Sequence, residues 1–150
     1  MRAVLFVCLG NICRSPLAQA ALEAESARRR IPVHADSAGT GGWHAGDPPD
    51  PRSVTCAASH GIDISHQRAR QVTRDDFDRF DMIVALDRQN LRDVRRVQPP
   101  NSRAELSLLL DHAGRPGQDV ADPYYGGPDG FDAAWRDATA AARGIMDQLA

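Results

Sequence analysis

The feature that most constrains the fold of this chain is a short polar loop that joins an apolar strand to a helix. Residues 3–7 read AVLFV, which is typical of a buried strand, and residues 16–30 form an alanine-rich segment with helical character. Ser15 is suited to the N-cap position of this helix and Pro16 to its first turn. The sequence CLGNICRS at residues 8–15 therefore has to turn the chain tightly between strand and helix.

The geometry of such a loop suits it to bind phosphate. Its backbone N–H groups converge on one point, and the start of the helix adds a partial positive charge there. Arg14 can grip two phosphate oxygens through its planar guanidinium group. The same positive surroundings favour the thiolate of Cys8, which makes this cysteine a nucleophile at neutral pH. The other residues expected to form the phosphate-binding loop are Leu9, Gly10, Asn11, Ile12, Cys13 and Ser15.

A thiolate at the floor of a phosphate site predicts covalent catalysis. In-line attack of Cys8 on phosphorus gives a phosphocysteine, which water then hydrolyses. The leaving group needs a proton donor from elsewhere in the fold. Asp119 and Asp122 both lie in the long loop predicted at residues 114–130, and their spacing in the sequence does not separate them. We expect no cofactor and no metal ion, since the five histidines and three cysteines lack metal-ligand spacing.

Two stretches of the sequence resemble the low-molecular-weight protein tyrosine phosphatase family. They read CLGNICRSP at residues 8–16 and DPYYG at residues 122–126, and the likeness covers nearly the whole chain. The family's general acid is the aspartate of the Asp-Pro pair, so the resemblance implies that Asp122, followed by Pro123, protonates the departing tyrosyl oxygen. It also implies phosphotyrosine-containing proteins as substrates, and small aryl phosphates as substrates in vitro.

Aromatic residues are expected to form the wall of the substrate site. Trp43, Tyr124 and Tyr125 would enclose a phenyl ring in a slot too deep for an aliphatic phosphoester to fill. One of two adjacent side chains usually points away from a site, which leaves the contribution of Tyr125 open.

Three residues of the loop have further expected roles. Cys13 lies five residues after Cys8, close enough in a curled loop to form a disulfide when the thiolate is oxidised, and we hypothesise a reversible inactive state. The Ser15 hydroxyl can donate to the Cys8 thiolate and assist its later departure. Asn11 tolerates a left-handed conformation and can bond the neighbouring backbone.

One segment departs from the family pattern. Relatives carry the sequence H-x-A-R after the Gly-Ile pair found here at residues 61–62, whereas in this chain that register reads QRAR at residues 67–70, with His66 one position early. If the family histidine braces the phosphate-binding loop, either Gln67 replaces it or the backbone shifts to bring His66 in. We therefore assign that role to neither residue.

The remaining sequence predicts a single α/β domain. The alternation of strands and helices is typical of a parallel sheet with helices on both faces, and 150 residues suit one core. The resemblance implies four parallel strands with the phosphate-binding loop after strand one, at a switch in strand order. The predicted strands are residues 2–7, 33–37, 82–86 and 106–110. The predicted helices are residues 16–30, 88–96 and 131–149, a helix between Asp50 and Gly61, and a short helix at Thr73 and Asp76. Asp50 before Pro51 is typical of an N-cap, and Asp87 with Asn90 is expected to start the helix at residues 88–96.

The composition argues against several classes of partner and chemistry. A net charge of −2 gives no electrostatic reason to expect nucleic acid or an anionic membrane surface as a partner. The absence of lysine excludes Schiff-base chemistry and a Walker-type phosphate loop. No apolar run is long enough to span a membrane, and the N-terminus lacks the features of a classical secretory signal. With three cysteines that suit a reducing compartment, we expect a cytoplasmic protein, although non-classical export routes stay open.

Three other functions compete with a phosphotyrosine phosphatase. An arsenate reductase on the same scaffold needs a late cysteine pair, and the chain has no cysteine after Cys56. A protein-arginine phosphatase of the same family has threonine where Ile12 stands, and the bulkier isoleucine together with Trp43 favours phosphotyrosine. A non-catalytic module that binds phosphate or a flavin nucleotide has no need of a nucleophile, an arginine and an acid together.

Overall fold

The computed structural model describes residues 1–124 and 126–150, and its strands form one parallel four-stranded sheet. The strands are β1 (Arg2–Cys8), β2 (Val33–Gly39), β3 (Met82–Ala85) and β4 (Glu105–Leu108). They lie in the order β2–β1–β3–β4, so β1 pairs with β2 on one side and with β3 on the other. The predicted α/β class and the parallel sheet are confirmed.

Helices cover both faces of this sheet. They are α1 (Arg14–Arg29), α2 (Pro51–Ser59), α3 (Asp76–Arg79), α4 (Arg88–Val97) and α5 (Pro128–Leu149). Alternate residues of β1 belong to two separate apolar clusters, as a strand buried on both faces requires. Val4 and Phe6 pack with α1, α2 and α5, whereas Leu5 and Val7 pack with α3 and α4.

Two predicted helix starts are confirmed by their hydrogen bonds. The Asp50 side chain accepts from the Arg52 N–H at 2.9 Å, at the first turn of α2. The Asp87 side chain accepts from the Asn90 N–H at 2.7 Å, at the first turn of α4. In both cases a carboxylate satisfies a backbone donor that the helix itself leaves without a partner.

Several predicted boundaries were wrong, and three of the differences have a clear physical reason. Helix α1 begins at Arg14, so Ser15 lies inside its first turn and is not the N-cap, because its hydroxyl is bonded to other side chains of the loop. Strand four ends at Leu108 instead of continuing over two more leucines, since residues 109–113 form a 3₁₀ turn in which Asp111 accepts from the Leu108 N–H at 2.9 Å. Helix α5 begins at Pro128, a residue suited to a first helical turn, three positions earlier than expected.

The chain reverses its direction of travel across the sheet between β2 and β3. It moves from β1 outward to β2, then crosses to β3 on the other side of β1. Ligands of open parallel sheets bind at such a switch, beyond the carboxyl ends of the strands. The loop after β1 and Asp87 after β3 both lie there, as expected for the phosphate-binding loop.

A helix that crosses a bilayer needs about 20 mostly apolar residues in a row. Within residues 1–124 and 126–150, none of the helices combines the length with the apolar character that crossing a bilayer requires.

Candidate active site

A cavity of about 240 Å³ opens at the carboxyl ends of β1 and β3. Three groups of predicted site residues meet in it: the loop after β1, the acid loop that precedes α5, and an aromatic wall. Its lining includes Cys8, Leu9, Gly10, Ile12, Cys13, Arg14, Trp43, His44, Asp122 and Tyr124. The Asn11 and Ser15 side chains of the same loop are buried and lie outside this lining, and Tyr125 lies outside the described residues.

The Cys8 thiol is buried at the end of β1 and bonded to a serine. Only 3% of Cys8 is exposed, and its Sγ lies 3.0 Å from the Ser15 Oγ. The Ser15 Oγ already accepts a hydrogen bond from the Asn11 Nδ2 at 2.8 Å. The hydroxyl hydrogen of Ser15 is therefore available to donate to the sulfur.

Asn11 fixes the path of the loop from within. Its φ of 59° is left-handed, as the sequence predicts for an asparagine in this tight turn. Its Oδ1 accepts from the Arg70 N–H at 3.0 Å, which orients the amide so that Nδ2 donates to Ser15 and, at 2.9 Å, to Ser37. Ser37 donates in turn to the Gln19 side chain at 2.8 Å. The nucleophile is thus held by a hydrogen-bonded row that reaches from α1 through β2.

The segment that departs from the family pattern contacts the loop through its backbone. The Gln67 side chain donates to the Pro16 carbonyl at 3.4 Å, and His66 is exposed. The hydrogen bond to Asn11 comes instead from the backbone N–H of Arg70. The Arg70 guanidinium is anchored by two carboxylates, of which the buried Asp76 accepts two hydrogen bonds at 2.9 and 3.0 Å. The second is Asp36, at 3.1 Å.

Backbone contact at Gly39 explains how closely the loop can approach β2. A Cβ atom on Gly39 would lie 2.7 Å from the Leu9 carbonyl oxygen and 3.1 Å from the Asn11 nitrogen. A side chain there would push the phosphate-binding loop away from the sheet, so this glycine is required by close packing.

Arg14 is buried and held in one orientation by two acceptors. Its Nη1 donates to the Asp87 carboxylate and to the Val120 carbonyl, both at 2.8 Å. Burial alone would lower the pKa of the guanidinium, but the neighbouring Cys8 and Asp87 raise it above its ordinary value, so Arg14 stays charged. From the sequence, Asp87 was predicted only as the start of a helix, and its role in holding Arg14 in place was missed. Its position directly after a buried parallel strand was the signal that could have indicated this role.

The structure separates the two candidate acids by position. Asp122 lines the cavity, is 41% exposed in its side chain, and has its Oδ2 at 3.6 Å from the Arg14 Nη2. Its other oxygen accepts from the Tyr124 N–H at 3.1 Å. Asp119 accepts from the Arg88 N–H at 2.9 Å and from its side chain, and these bonds hold the pKa of Asp119 below its ordinary range. Asp119 is therefore bound to α4 as an ionised group.

Two exposed aromatic side chains border the cavity. Trp43 is 72% exposed, and its ring lies directly on Gly41, where a Cβ atom would come within 1.8 Å of it. Tyr124 stands on the opposite loop, with the Arg52 guanidinium carbon 5.4 Å from its ring centroid. His44 beside Trp43 also lines the cavity, and its Nδ1 lies 3.2 Å from the Asp47 carboxylate. This histidine was missed because an isolated histidine in a loop carries no pattern.

The two other cysteines are neutral thiols. Burial, reinforced by the nearby Asp50, raises the pKa of Cys13 to about 12. Burial and the neighbouring Asp132 raise the pKa of Cys56 to about 11. All three cysteines of the chain are buried and free of disulfides. In the part of the chain that the structure describes, no group of three or more His, Cys, Asp or Glu side chains is arranged to hold a metal ion.

Fold and site together define a class: an α/β protein whose first strand ends in a loop that joins a buried thiol to a buried, charged guanidinium. A family model described as "Low molecular weight phosphotyrosine protein phosphatase" matches residues 3–150. A curated relative of that name from Schizosaccharomyces pombe is 47% identical over 133 residues, which cover 85% of this chain and 84% of the relative. A "Low molecular weight protein-tyrosine-phosphatase" from Streptomyces coelicolor is 47% identical over 149 residues, covering 95% and 90%. The chain belongs to the low molecular weight phosphotyrosine protein phosphatase family, a family of hydrolases.

Solved structures share the whole fold. The crystal structure of Primo-1 superposes with a TM-score of 0.92 and 36% identity, over 99% of this chain and 98% of that one. A structure titled as a Drosophila arginine phosphatase superposes with the same TM-score of 0.92 at 31% identity, over 99% and 98% of the two chains. The shared fold therefore does not distinguish phosphotyrosine from phosphoarginine as the substrate.

Proposed function

We propose that the chain hydrolyses phosphotyrosine in cytoplasmic proteins through a phosphocysteine intermediate. The observation that carries the proposal is the convergence of Cys8, Arg14 and Asp122 on one cavity with aromatic side chains at its rim. Each has the chemistry that one part of the reaction needs: a nucleophile, a phosphate clamp and a proton donor.

In the first step, the Cys8 thiolate attacks phosphorus opposite the tyrosyl oxygen. An S–P bond forms and the P–O bond to tyrosine breaks, while the Asp122 carboxyl gives its proton to the departing oxygen. Arg14 and the loop N–H groups stabilise the charge on the remaining phosphoryl oxygens. Since Nη1 of Arg14 is occupied by Asp87 and Val120, Nη2 is the end of the guanidinium that turns to the phosphate.

In the second step, water attacks the phosphocysteine. The Asp122 carboxylate takes a proton from this water, an O–P bond forms, and the S–P bond breaks. The departing sulfur regains its negative charge and receives the hydrogen bond of the Ser15 hydroxyl, which lies 3.0 Å away. Inorganic phosphate is the product, and Cys8 returns to its starting state.

Ile12 and Trp43 support phosphotyrosine over phosphoarginine as the substrate. Both line the cavity, and together with Tyr124 they present apolar surface to a phenyl ring. A protein-arginine phosphatase is the second candidate, because a solved structure with that title shares the fold at 31% identity. An arsenate reductase is disfavoured by the lack of a cysteine pair after Cys56.

The test compares substrates and two matched aspartate variants. Purified protein is assayed on p-nitrophenyl phosphate and on phosphotyrosine, phosphoserine and phosphoarginine peptides, with vanadate as inhibitor, and on arsenate with a thiol reductant. We expect phosphotyrosine to be preferred and Cys8→Ser to abolish all turnover. Asp122→Ala should slow phosphotyrosine by roughly 10²–10⁴ and the good leaving group nitrophenol far less. Asp119→Ala is the control and should leave both rates unchanged; a preference for phosphoarginine would overturn the proposal.

The Cys8–Cys13 disulfide stays a hypothesis about regulation. Both cysteines line the cavity, and condensation of the Cys13 thiol with a sulfenic acid on Cys8 would form the disulfide and release water. Peroxide inactivation should be reversed by dithiothreitol in the wild-type protein and should become irreversible in Cys13→Ser. Equal recovery of activity in the wild-type protein and in Cys13→Ser would contradict the hypothesis.

A further inference from the structure

A second cavity lies between the helices α2 and α5, outside the site already described. Its volume is about 430 Å³, against about 240 Å³ for the catalytic cavity. Its lining comes from α2, with Arg52, Thr55 and Cys56, and from the first two turns of α5, with Phe131 and Asp132. No step of the proposed reaction uses it.

The floor of this cavity is apolar and its rim is polar. Phe131 is 1% exposed and Cys56 is 6% exposed, so these two residues form the bottom of the cavity, whose sides include the exposed Pro51 and Pro128. The Cys56 thiol stays neutral because its pKa is raised to about 11, and it therefore adds no charge to the floor. Arg52 and Asp132 supply charges of opposite sign at the rim. Such a surface suits an aliphatic side chain attached to a polar backbone.

One wall separates this cavity from the catalytic one. Arg52 lines the second cavity and Tyr124 lines the first, and the Arg52 guanidinium carbon lies 5.4 Å from the Tyr124 ring centroid. The same carbon lies 4.8 Å from the ring centroid of Phe131 in the floor. Arg52 is fixed there by the Asp50 carboxylate, which accepts from it at 2.9 and 3.0 Å. The stacked pair of Arg52 and Tyr124 therefore lies between the two cavities, with Arg52 held by Asp50.

We propose that the second cavity binds an apolar side chain that flanks the phosphotyrosine of the substrate. This inference rests on the proposed function, because the catalytic cavity has to hold the phosphotyrosine. An extended peptide advances about 3.3 Å per residue, so roughly two residues span the wall of Arg52 and Tyr124. Leucine, isoleucine or methionine at that distance fits the apolar floor, whereas serine or aspartate leaves it empty.

The test measures the preference of the protein for an apolar neighbour. Phosphotyrosine peptides are compared that carry either leucine or serine at each of the positions flanking the phosphotyrosine. We expect leucine at one position to raise kcat/KM by about tenfold, through KM. Thr55→Trp places an indole in the second cavity and should abolish this preference. Ala58→Trp, an exposed position of α2 outside the lining of either cavity, is the matched control and should keep it. Hydrolysis of p-nitrophenyl phosphate should be the same in all three proteins.

The outcomes separate this inference from the function on which it rests. Turnover of phosphotyrosine without a leucine preference at any position, or a preference that survives Thr55→Trp, overturns the subsite alone. If Thr55→Trp fails to fold, Ser59→Trp fills the same cavity, and the wild-type peptide comparison decides independently. A wild-type dimer that Thr55→Trp converts to a monomer overturns the subsite as well, since the cavity is then an interface between copies. Absence of turnover on every phosphotyrosine substrate overturns both.

Discussion

Replacing Ser15 by alanine removes the hydrogen bond to the Cys8 sulfur, together with the one that Ser15 accepts from Asn11. Ser15 is completely buried, and its Oγ lies 3.0 Å from the Cys8 Sγ while it accepts from Asn11 at 2.8 Å. The hydroxyl hydrogen is consequently directed at the sulfur. In the second step the sulfur leaves phosphorus as a thiolate, so this bond is stronger in that transition state than in the phosphocysteine.

The size of the effect follows from the charge on the acceptor. A hydrogen bond to a charged group contributes about 1.5–3 kcal/mol, which corresponds to roughly 10- to 150-fold in rate. Asn11 keeps its bonds to Ser37 and to the Arg70 N–H in the variant, so the loop should retain its path. We therefore expect Ser15→Ala to slow hydrolysis of the phosphocysteine by that factor, with little change in its formation.

Rapid-quench kinetics with p-nitrophenyl phosphate resolves the two steps. Ser15→Ala should release one equivalent of nitrophenol in a fast burst and then turn over slowly. Ser53→Ala is the matched control, because Ser53 is equally buried but donates to the Cys13 carbonyl at 3.3 Å. Its steady-state rate should stay near that of the wild type. A Ser15→Ala rate no lower than that of Ser53→Ala, or loss of the burst together with the steady-state rate, would refute the reasoning.

Three further predictions concern the surroundings of the site. Asp76→Asn should lower the free energy of unfolding, measured in urea, by about 3 kcal/mol, since Asp76 is buried and Arg70 keeps only Asp36 as a carboxylate partner. Asp137→Asn, in the more exposed pair with Arg115, should cost less than about 1 kcal/mol, and equal losses would contradict the prediction. Iodoacetamide at pH 8 should label Cys8 and leave Cys13 and Cys56 unlabelled, as measured by mass spectrometry. The reason is that the pKa of Cys13 is raised to about 12 and that of Cys56 to about 11. Labelling of all three cysteines at one rate would contradict this prediction. Gly41→Ala should displace the Trp43 ring and raise KM for phosphotyrosine peptides by roughly 2- to 10-fold, as Trp43→Ala should, whereas an unchanged KM would show that the ring does not contact the substrate.

The local parts of the fold were predictable because their signals are local. The apolar strands, the helix caps at Asp50 and Asp87, and the left-handed turn at Asn11 follow from residues within one turn of each other. The strand order did not follow from the residues, and the family resemblance implied only that the phosphate-binding loop lies at a switch in that order. Ser15 was misplaced because serine before proline is a good N-cap, and here the bonds to Cys8 and Asn11 decide its position instead.

The site was less predictable where it depends on contacts between distant segments. Arg14 and Asp87 are 73 residues apart, and Asn11 and Arg70 are 59 apart, so no spacing rule connects them. The Arg70 contact also uses a backbone N–H, which every non-proline residue possesses. Its identity therefore leaves no trace in the sequence, whereas the carboxylates that anchor Arg70 are visible only once β2 and α3 are placed side by side.

Val120 fixes the long loop that carries the proposed general acid, Asp122. Its N–H donates to the Leu86 carbonyl at the end of β3 at 2.9 Å, and its carbonyl accepts from Arg14 at 2.8 Å. The residue is 2% exposed, so the loop is fixed at this point to the sheet and to the phosphate clamp at once. Asp122 follows two positions later, which limits its reach to the neighbourhood of the Arg14 Nη2. The same attachment leaves Asp119 on the other side of Val120, beside Arg88, and this explains in physical terms why only one of two nearby aspartates reaches the cavity.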